Sequence, residues 1–422
     1  MTNGTATISP ALLSQLAAKT TQPPLILTNA FTANTTLTPQ AQRDTAGTAS
    51  GFHYDPIDYL AACSVSNATL LLTNGVALAY YDNLGVWLQD GSQLVSQGTP
   101  NQRNYLVYYG LVQEQPVNLW GVTNAVAQSL PISPWPFGSS ANPSIFLRLT
   151  TISTPQGETN LLNTADFGVT GQAISGLTLR DCEIYGAGAN WLMNESNNVP
   201  AIGFTNNVFH RVPIAISNSS PIMSFNNLFY GTTNIITNIT INLNGSTTTN
   251  AVTNTTTVSI RHRGGTSPNT NEDNVFDGVK VLLDGTVGYN AYLHGATNTI
   301  FTNTDITNIT FAWVGGPLGA YYQANNSPLL TNGSTYATNL GLYHYTVTTN
   351  NVVEGTNIVS RGYHYVALGT NGLPLCTSGD GVADYLADVN GNNSNGTGSW
   401  TNYISPNGLT VASGLLVFTP LK

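Results

Sequence analysis

Hydrophobic and polar positions alternate in short bursts along most of this chain, and the bursts recur. From Phe204 to Tyr230 the sequence reads FTNNVFHRV, then IAISNSSPIM, then SFNNLFYGT, so that Asn207 and Phe209 return as Asn227 and Phe229. Period-two alternation predicts half-buried strands, and a unit returning after about twenty residues predicts a solenoid. Imperfect copies flank this pair. LRDCEIYGA puts Cys182 and Ile184 at the Asn and Phe positions, EDNVFDGV supplies Asn274 and Phe276, and TNTIFTN supplies Asn298 and Phe301. A second series, GAYYQ from Gly319, GLYHYT from Gly341 and RGYHYV from Arg361, predicts further coils up to Gly369, with GFHYDP at Gly51 to Pro56 as an outlying relative.

The remaining pattern divides the chain. SPALLSQLAAKT, from Ser9 to Thr20, reads as a helix: Ser9 can cap it, Pro10 fits its first turn, and Leu12, Leu13 and Leu16 share a face. Residues 1–22 are therefore expected to form a helical cap over an open solenoid end. Residues 23–369 are expected to form the solenoid. From Pro23 to Val117, runs such as ATLLLTNG, VALAYYD and YLVYYG predict short strands divided by turns. Five prolines between 116 and 145 predict an excursion across the surface there. The Asn- and Thr-rich stretch near 232–257 fits either a β-hairpin insertion or an extra coil, and residues 370–422 read as a tail.

Stacking such coils pairs their strands in parallel at about 4.8 Å and aligns identical residues above one another. Aligned Phe and Ile then fill the interior, and aligned Asn can bond in ladders while tolerating the left-handed backbone of tight turns. The fold class expected is all-β, a parallel β-helix of on the order of a dozen coils with a short N-terminal helix.

Composition sharpens this. Charged residues make up only 7% of the 422 positions, against about 25% in an ordinary domain, while 41% are hydrophobic. With a net charge of −9 and 11 Lys and Arg in all, nucleic acid is excluded as a partner. No run of about 18 apolar residues predicts a membrane span. The opening MTNGTATISPALLSQLAAK lacks a basic region followed by an apolar one, so the reading expects either a missing leader or a piece of something larger. An Asn- and Thr-rich, charge-poor β protein is expected to be secreted or displayed on a cell surface. Cys63, Cys182 and Cys376 are too scattered for a metal site and allow at most one disulfide.

Leu177 to Tyr230 resembles the coils of right-handed parallel β-helix proteins, the pectate-lyase-like fold. Together with DTAGTASGFHYDPIDYL, GTPNQRNYLVYYGLVQEQPV and RGYHYVALGTNGLPLCTSGDGVADYLADVNGN, the chain resembles very large secreted β-helix proteins of environmental bacteria. That resemblance implies the fold and a cell-surface setting, and little about activity.

Three groups of residues could carry chemistry. The segment from Ser378 to Asp388 resembles a thrombospondin-type-3-like calcium loop, which implies calcium held by Asp380, the Val382 carbonyl and Asp384, with Asp388 opening a second loop. Most of the charge of such a loop is missing, since Cys376, Ser378 and Ala387 stand at ligand positions. For lyase or hydrolase chemistry the nearest set is Arg261 or Arg263 with Asp273 and Asp277, and a local ion-pair network is the plainer reading of the same residues. The polygalacturonase pattern is not met: Asn303-Thr304-Asp305 and His294-Gly295 occur in the wrong order and without a paired Asp. His53, His344 and His364 recur in aromatic triplets and are expected to stack rather than bind metal. The function expected is a structural or adhesive β-solenoid that assembles with itself. The alternatives are a polysaccharide lyase or glycoside hydrolase, or a binding module for surface glycans using Trp313, Tyr321 and Tyr322.

Overall fold

In a computed structural model, which describes residues 9–393 and 415–418 less several internal segments, the longest being 38–49, 110–131, 135–141, 164–173, 195–201 and 263–268, the chain winds as a parallel β-helix. Its winding is right-handed, the sense that twisted strands impose on parallel crossovers. One long face is an 11-stranded parallel sheet running from Leu25–Leu27 through Glu183–Gly186, Val208–His210, Leu228–Tyr230, Val275–Asp277 and Ala291–Leu293 to Ile306–Thr307. At ~4.8 Å per strand that stack is about 50 Å long. A second face includes Ser144–Arg148, Gly176–Arg180, Ile202–Thr205, Ile222–Phe225 and Thr270–Glu272, and a third includes Ile214–Asn218, Val279–Leu283 and Thr297–Asn298.

The interior is built by register. Ile184, Phe209, Phe229, Phe276 and Tyr292 are Cα partners on successive strands. The four rings from Phe209 to Tyr292 stack at 5.0, 5.0 and 5.3 Å, and burying each aromatic stabilises by roughly 1.5–3 kcal/mol. At the corner leading onto the long face, one residue per coil takes the left-handed conformation: Leu149, Asp181, Asn206, Asn226, Asp273 and Tyr289, with φ from 48° to 59°. The residue after it points inward and forms the ladder.

Each ladder Asn serves the coil before it. Asn227 Oδ1 accepts from the Asn207 backbone N–H and from Asn207 Nδ2, both at 2.9 Å, while Asn227 Nδ2 donates to the Phe204 carbonyl at 2.9 Å. Asn274 repeats this for Asn227 at 3.0 Å, Asn290 for the Asn274 N–H at 2.9 Å, and Asp305 Oδ1 closes the series on the Asn290 N–H at 2.9 Å. Cys182 and Asn207 stand in register as expected, the Cys182 N–H donating to Asn207 Oδ1 at 2.9 Å. The last repeats lie elsewhere than expected, at Asn290 with Tyr292 and at Asp305 with Thr307, rather than at Asn298 with Phe301. The coils shorten to 16 and then 15 residues there, and Tyr replaces Phe, which hides them from a search at twenty.

The stretch near 232–257 is a hairpin: Thr233–Ile241 pairs antiparallel with Thr247–His262, whose later part joins the third face between Ile214–Asn218 and Val279–Leu283. The Pro-rich excursion lies mostly outside the described residues, although Ile132–Pro134 pairs with Val86–Leu88. The helix is present at Pro10–Ala17, with the Leu12 N–H donating to Ser9 Oγ at 3.3 Å. Leu12 and Leu13 are exposed. No helix among the described residues is long and apolar enough to cross a membrane.

The second series does not form coils. The helical sheets stop at Ile306–Thr307, and beyond them Val314–Gly316 pairs antiparallel with Gly319–Tyr322, and Tyr345–Thr346 with Tyr365–Val366. Residues 314–393 instead lie over the helix. The reason is the number of large rings: Tyr321, Tyr322, Tyr363 and Tyr365 are all buried, and they pack on the outward-facing Val208, Leu228, Val275 and Ala291 of the long face. A coil open to water on its outer side could not cover residues of both rows.

Candidate functional site

The covering segment meets the helix along a polar seam. The left-handed corner residues aim their side chains outward at it. Asn206 Nδ2 donates to the His364 carbonyl at 2.9 Å, Asn226 Nδ2 to the Ser360 carbonyl at 2.8 Å, and Asp273 accepts from the Ser334 N–H and Oγ at 2.7 and 2.6 Å. Asp181 is the most heavily engaged. Its Oδ2 lies 3.1 Å from Arg148 Nε and 3.6 Å from Arg180 Nε and accepts from the Tyr345 hydroxyl at 2.7 Å, and all four residues are buried. Burial pushes the Asp181 carboxyl up, but Arg180 and Arg148 outweigh it and hold it below its ordinary value. Arg180 Nη2 also donates to the Gly341 carbonyl at 2.7 Å. Gly341 has φ +69°, and a Cβ there would lie 2.6 Å from the Asn390 carbonyl oxygen, so this approach requires glycine.

The four residues considered for lyase or hydrolase chemistry are not brought together. Arg263 lies outside the described residues, and Arg261 is exposed on the third face, in register with Ser217. Asp273 sits at the left-handed corner before the strand Val275–Asp277, and Asp277 is the last residue of that strand. Asp277 is buried; His294 Nδ1 donates to its Oδ1 at 2.6 Å and Trp313 Nε1 to its Oδ2 at 2.7 Å. His294 Nε2 donates in turn to the Phe311 carbonyl at 2.9 Å. Burial works against charge on this imidazole, but Asp277 and the Phe311 carbonyl outweigh it and hold His294 above its ordinary value. The expected network of these acids with Arg261 is therefore replaced by bonds to Ser334, His294 and Trp313. Glycoside hydrolysis needs two carboxylates facing one bond, and both of these are engaged, Asp273 by Ser334 and Asp277 by His294 and Trp313.

The calcium-loop carboxylates are also spread among different partners. Asp380 is exposed and accepts from the Val382 N–H at 2.8 Å; Asp384 accepts from the Thr377 N–H at 2.8 Å; Asp388 accepts from His344 Nε2 at 3.0 Å and the Asn393 N–H at 2.6 Å. Among the described residues no three His, Cys, Asp or Glu are grouped to hold a metal. The physical reason is the missing acids at Cys376, Ser378 and Ala387: the remaining ones turn to backbone N–H groups. His364 Nε2 sits 3.4 Å from Glu354 and His344 Nε2 3.0 Å from Asp388, so these two lie against separate carboxylates. Cys63 and Cys182 are buried thiols pushed up to about 12 by desolvation, which makes them inert fillers.

Of the proposed glycan platforms, Tyr321 and Tyr322 are buried and Trp313 is half-buried against Phe311 and Tyr321. What sequence reading missed is the end of the helix. Beyond Tyr292 the core opens into a depression of about 760 Å³ between the coil of Tyr292–Ala296 and the departing segment Thr307–Phe311. The signal was present in the column itself, where the aromatic position passes from Tyr292 to Thr307. No family model matches this chain, and no curated protein matches it.

Proposed function

We propose that the chain is a non-enzymatic structural or adhesive β-helix of a secreted or cell-surface protein, making contacts with copies of itself or with surface glycans. The observation that carries this reading is the covered flank. The outward row Val208, Leu228, Val275 and Ala291 would line an open groove on the long face, and the chain lays its own tyrosines over it. The acids along that flank, Glu183, Asp273 and Asp277, are already engaged: Glu183 accepts from the covering Tyr363 hydroxyl at 3.4 Å, Asp273 from Ser334 Oγ and Asp277 from Trp313 Nε1. Low charge and aligned Asn support a surface setting, since both suit a rod whose polar face is built from uncharged groups.

The test joins assembly to catalysis. Purified chain is followed by electron microscopy and light scattering, by retention on insoluble polysaccharide and cell surfaces, and by incubation with acidic and neutral polysaccharides. Association or surface retention without new reducing or unsaturated ends is expected. Isolated monomers that bind no surface contradict the proposal, as do new ends that disappear in Asp277→Asn.

A further inference from the structure

The depression at the end of the helix has the makings of a ligand site. Its floor is Tyr292, the last ring of the core column, whose hydroxyl oxygen accepts from Asn298 Nδ2 at 2.7 Å. Phe301 stands edge-on to that ring at 4.8 Å and 79° and remains 49% exposed. Ile309 adds a second apolar wall, and Thr302, Thr307 and Thr310 bring hydroxyl-bearing side chains to the lining. A volume of about 760 Å³ falls within the range of about 300–1,000 Å³ usual for small-ligand sites.

The charge of the lining narrows the ligand. Its imidazole, His294, has both ring nitrogens occupied by Asp277 and the Phe311 carbonyl. Its carboxylate, Asp305, accepts from the Asn290 and Thr302 N–H groups at 2.9 and 2.8 Å. An anionic ligand would meet Asp305 with no counter-charge to receive it. Thr302 Oγ1 bonds Thr304 Oγ1 at 2.9 Å and Thr307 Oγ1 accepts from Asn308 Nδ2 at 3.5 Å, and a purely hydrocarbon ligand would cut their remaining hydrogen-bonding capacity, and that of Thr310, off from water. A molecule with an apolar ring face and a rim of hydroxyls satisfies both halves of the site.

We propose that this depression binds a neutral saccharide, one sugar ring lying on Phe301 with its hydroxyls toward the threonines. The proposal rests on the adhesive reading above and names its ligand. It places contact at the end of the helix, beside the covered flank.

The full chain is titrated by calorimetry with cellohexaose, laminarihexaose and mannohexaose, and with oligogalacturonate as the anionic control. At least one neutral oligosaccharide is expected to bind and oligogalacturonate is not. Phe301→Ala should weaken binding at least tenfold, Phe301→Tyr should preserve it, and Tyr105→Ala, which removes an exposed ring on the long face, should leave it unchanged. Thr302→Ala, with an unchanged melting temperature, gives a second reading if Phe301→Ala perturbs the fold. No binding by any neutral oligosaccharide at millimolar concentration overturns the proposal, as does binding that survives both variants or that oligogalacturonate matches. Self-association abolished by Phe301→Ala without sugar binding would make the depression a contact between copies, and also overturns it. Retention of Phe301→Ala on polysaccharide surfaces, with no oligosaccharide binding at the depression, would sink this site while leaving the adhesive reading intact.

Discussion

The coils from Gly176 to Thr307 and the cover from Val314 to Asn393 bury comparable side chains but are held by different chemistry. In the coils, neutral residues repeat in register, so that each Asn satisfies the backbone of the coil before it and each Phe stacks on the next. Between cover and helix, the bonds run through Asp181, Glu183, Asp273, Asp277 and their partners, most of them able to change charge. A solenoid built from uncharged repeats has a stability that pH hardly touches. A cover fastened in part through carboxylates is the part whose attachment responds to pH.

The largest expected effect breaks the regular side of that comparison. Asn227→Ala removes the acceptor of two Asn207 donors and the donor to the Phe204 carbonyl, all buried. At about 1–3 kcal/mol for each orphaned group, the loss should reach about 4–5 kcal/mol and lower the urea midpoint of the whole helix at every pH.

Next is Asp181→Asn, which leaves Arg148 and Arg180 buried without their carboxylate and should cost about 3 kcal/mol. Here the loss should be local: limited proteolysis should cut residues 314–393 while the far-ultraviolet spectrum of the coils persists. Because the Asp181 carboxyl is held low in the fold, its contribution is present above the ordinary carboxylate range and is lost only as the pH falls through that depressed value.

Asp273 should behave in the opposite sense. Burial pushes it up to about 6 despite two bonds from Ser334, so its contribution is full below about pH 4 and is lost as the pH rises through about 6. Asp273→Asn should therefore raise the melting temperature at pH 7–8, by an amount equivalent to about 1 kcal/mol, and should do little or lower it at pH 4.

The smallest effect is at His294, whose clasp on Asp277 and Phe311 is half exposed. Its value is raised, so the clasp is fully present below about 6.5 and weakens as the pH rises through the raised value. His294→Gln should abolish a pH-dependent shift of the Trp313 indole N–H resonance and change the unfolding free energy by no more than about 0.5 kcal/mol.

The parallel β-helix was legible in the sequence because its core is periodic: Asn206-Asn207-Val208-Phe209 and Asn226-Asn227-Leu228-Phe229 carry both the corner and the inward column in one short pattern. The corner itself was legible only in part. Asp181, Asn206, Asn226 and Asp273 share a left-handed backbone and an outward role, which a search for buried repeats passes over. The YHY series misled because periodicity records similar environments and not winding: Tyr345 and Tyr365 repeat since they sit near one another on paired antiparallel strands. The seam was illegible for a plainer reason. Arg148 meets Tyr345 across 197 positions, and no local pattern announces a bond so distant. The depression past Tyr292 arises where the repeat stops, and its one local sign is the passage of the aromatic position from Tyr292 to Thr307.

Native-state hydrogen exchange followed residue by residue, at pH 5 and pH 8, tests the division between coil and cover most directly. The backbone N–H groups of Asn207, Asn227 and Asn274 should exchange only with global unfolding, at the same opening free energy at both pH values. Those of Ser334, Ser360 and His364 should open together at lower free energy, and that free energy should change with pH. A single opening free energy shared by both sets and unmoved by pH would contradict the account.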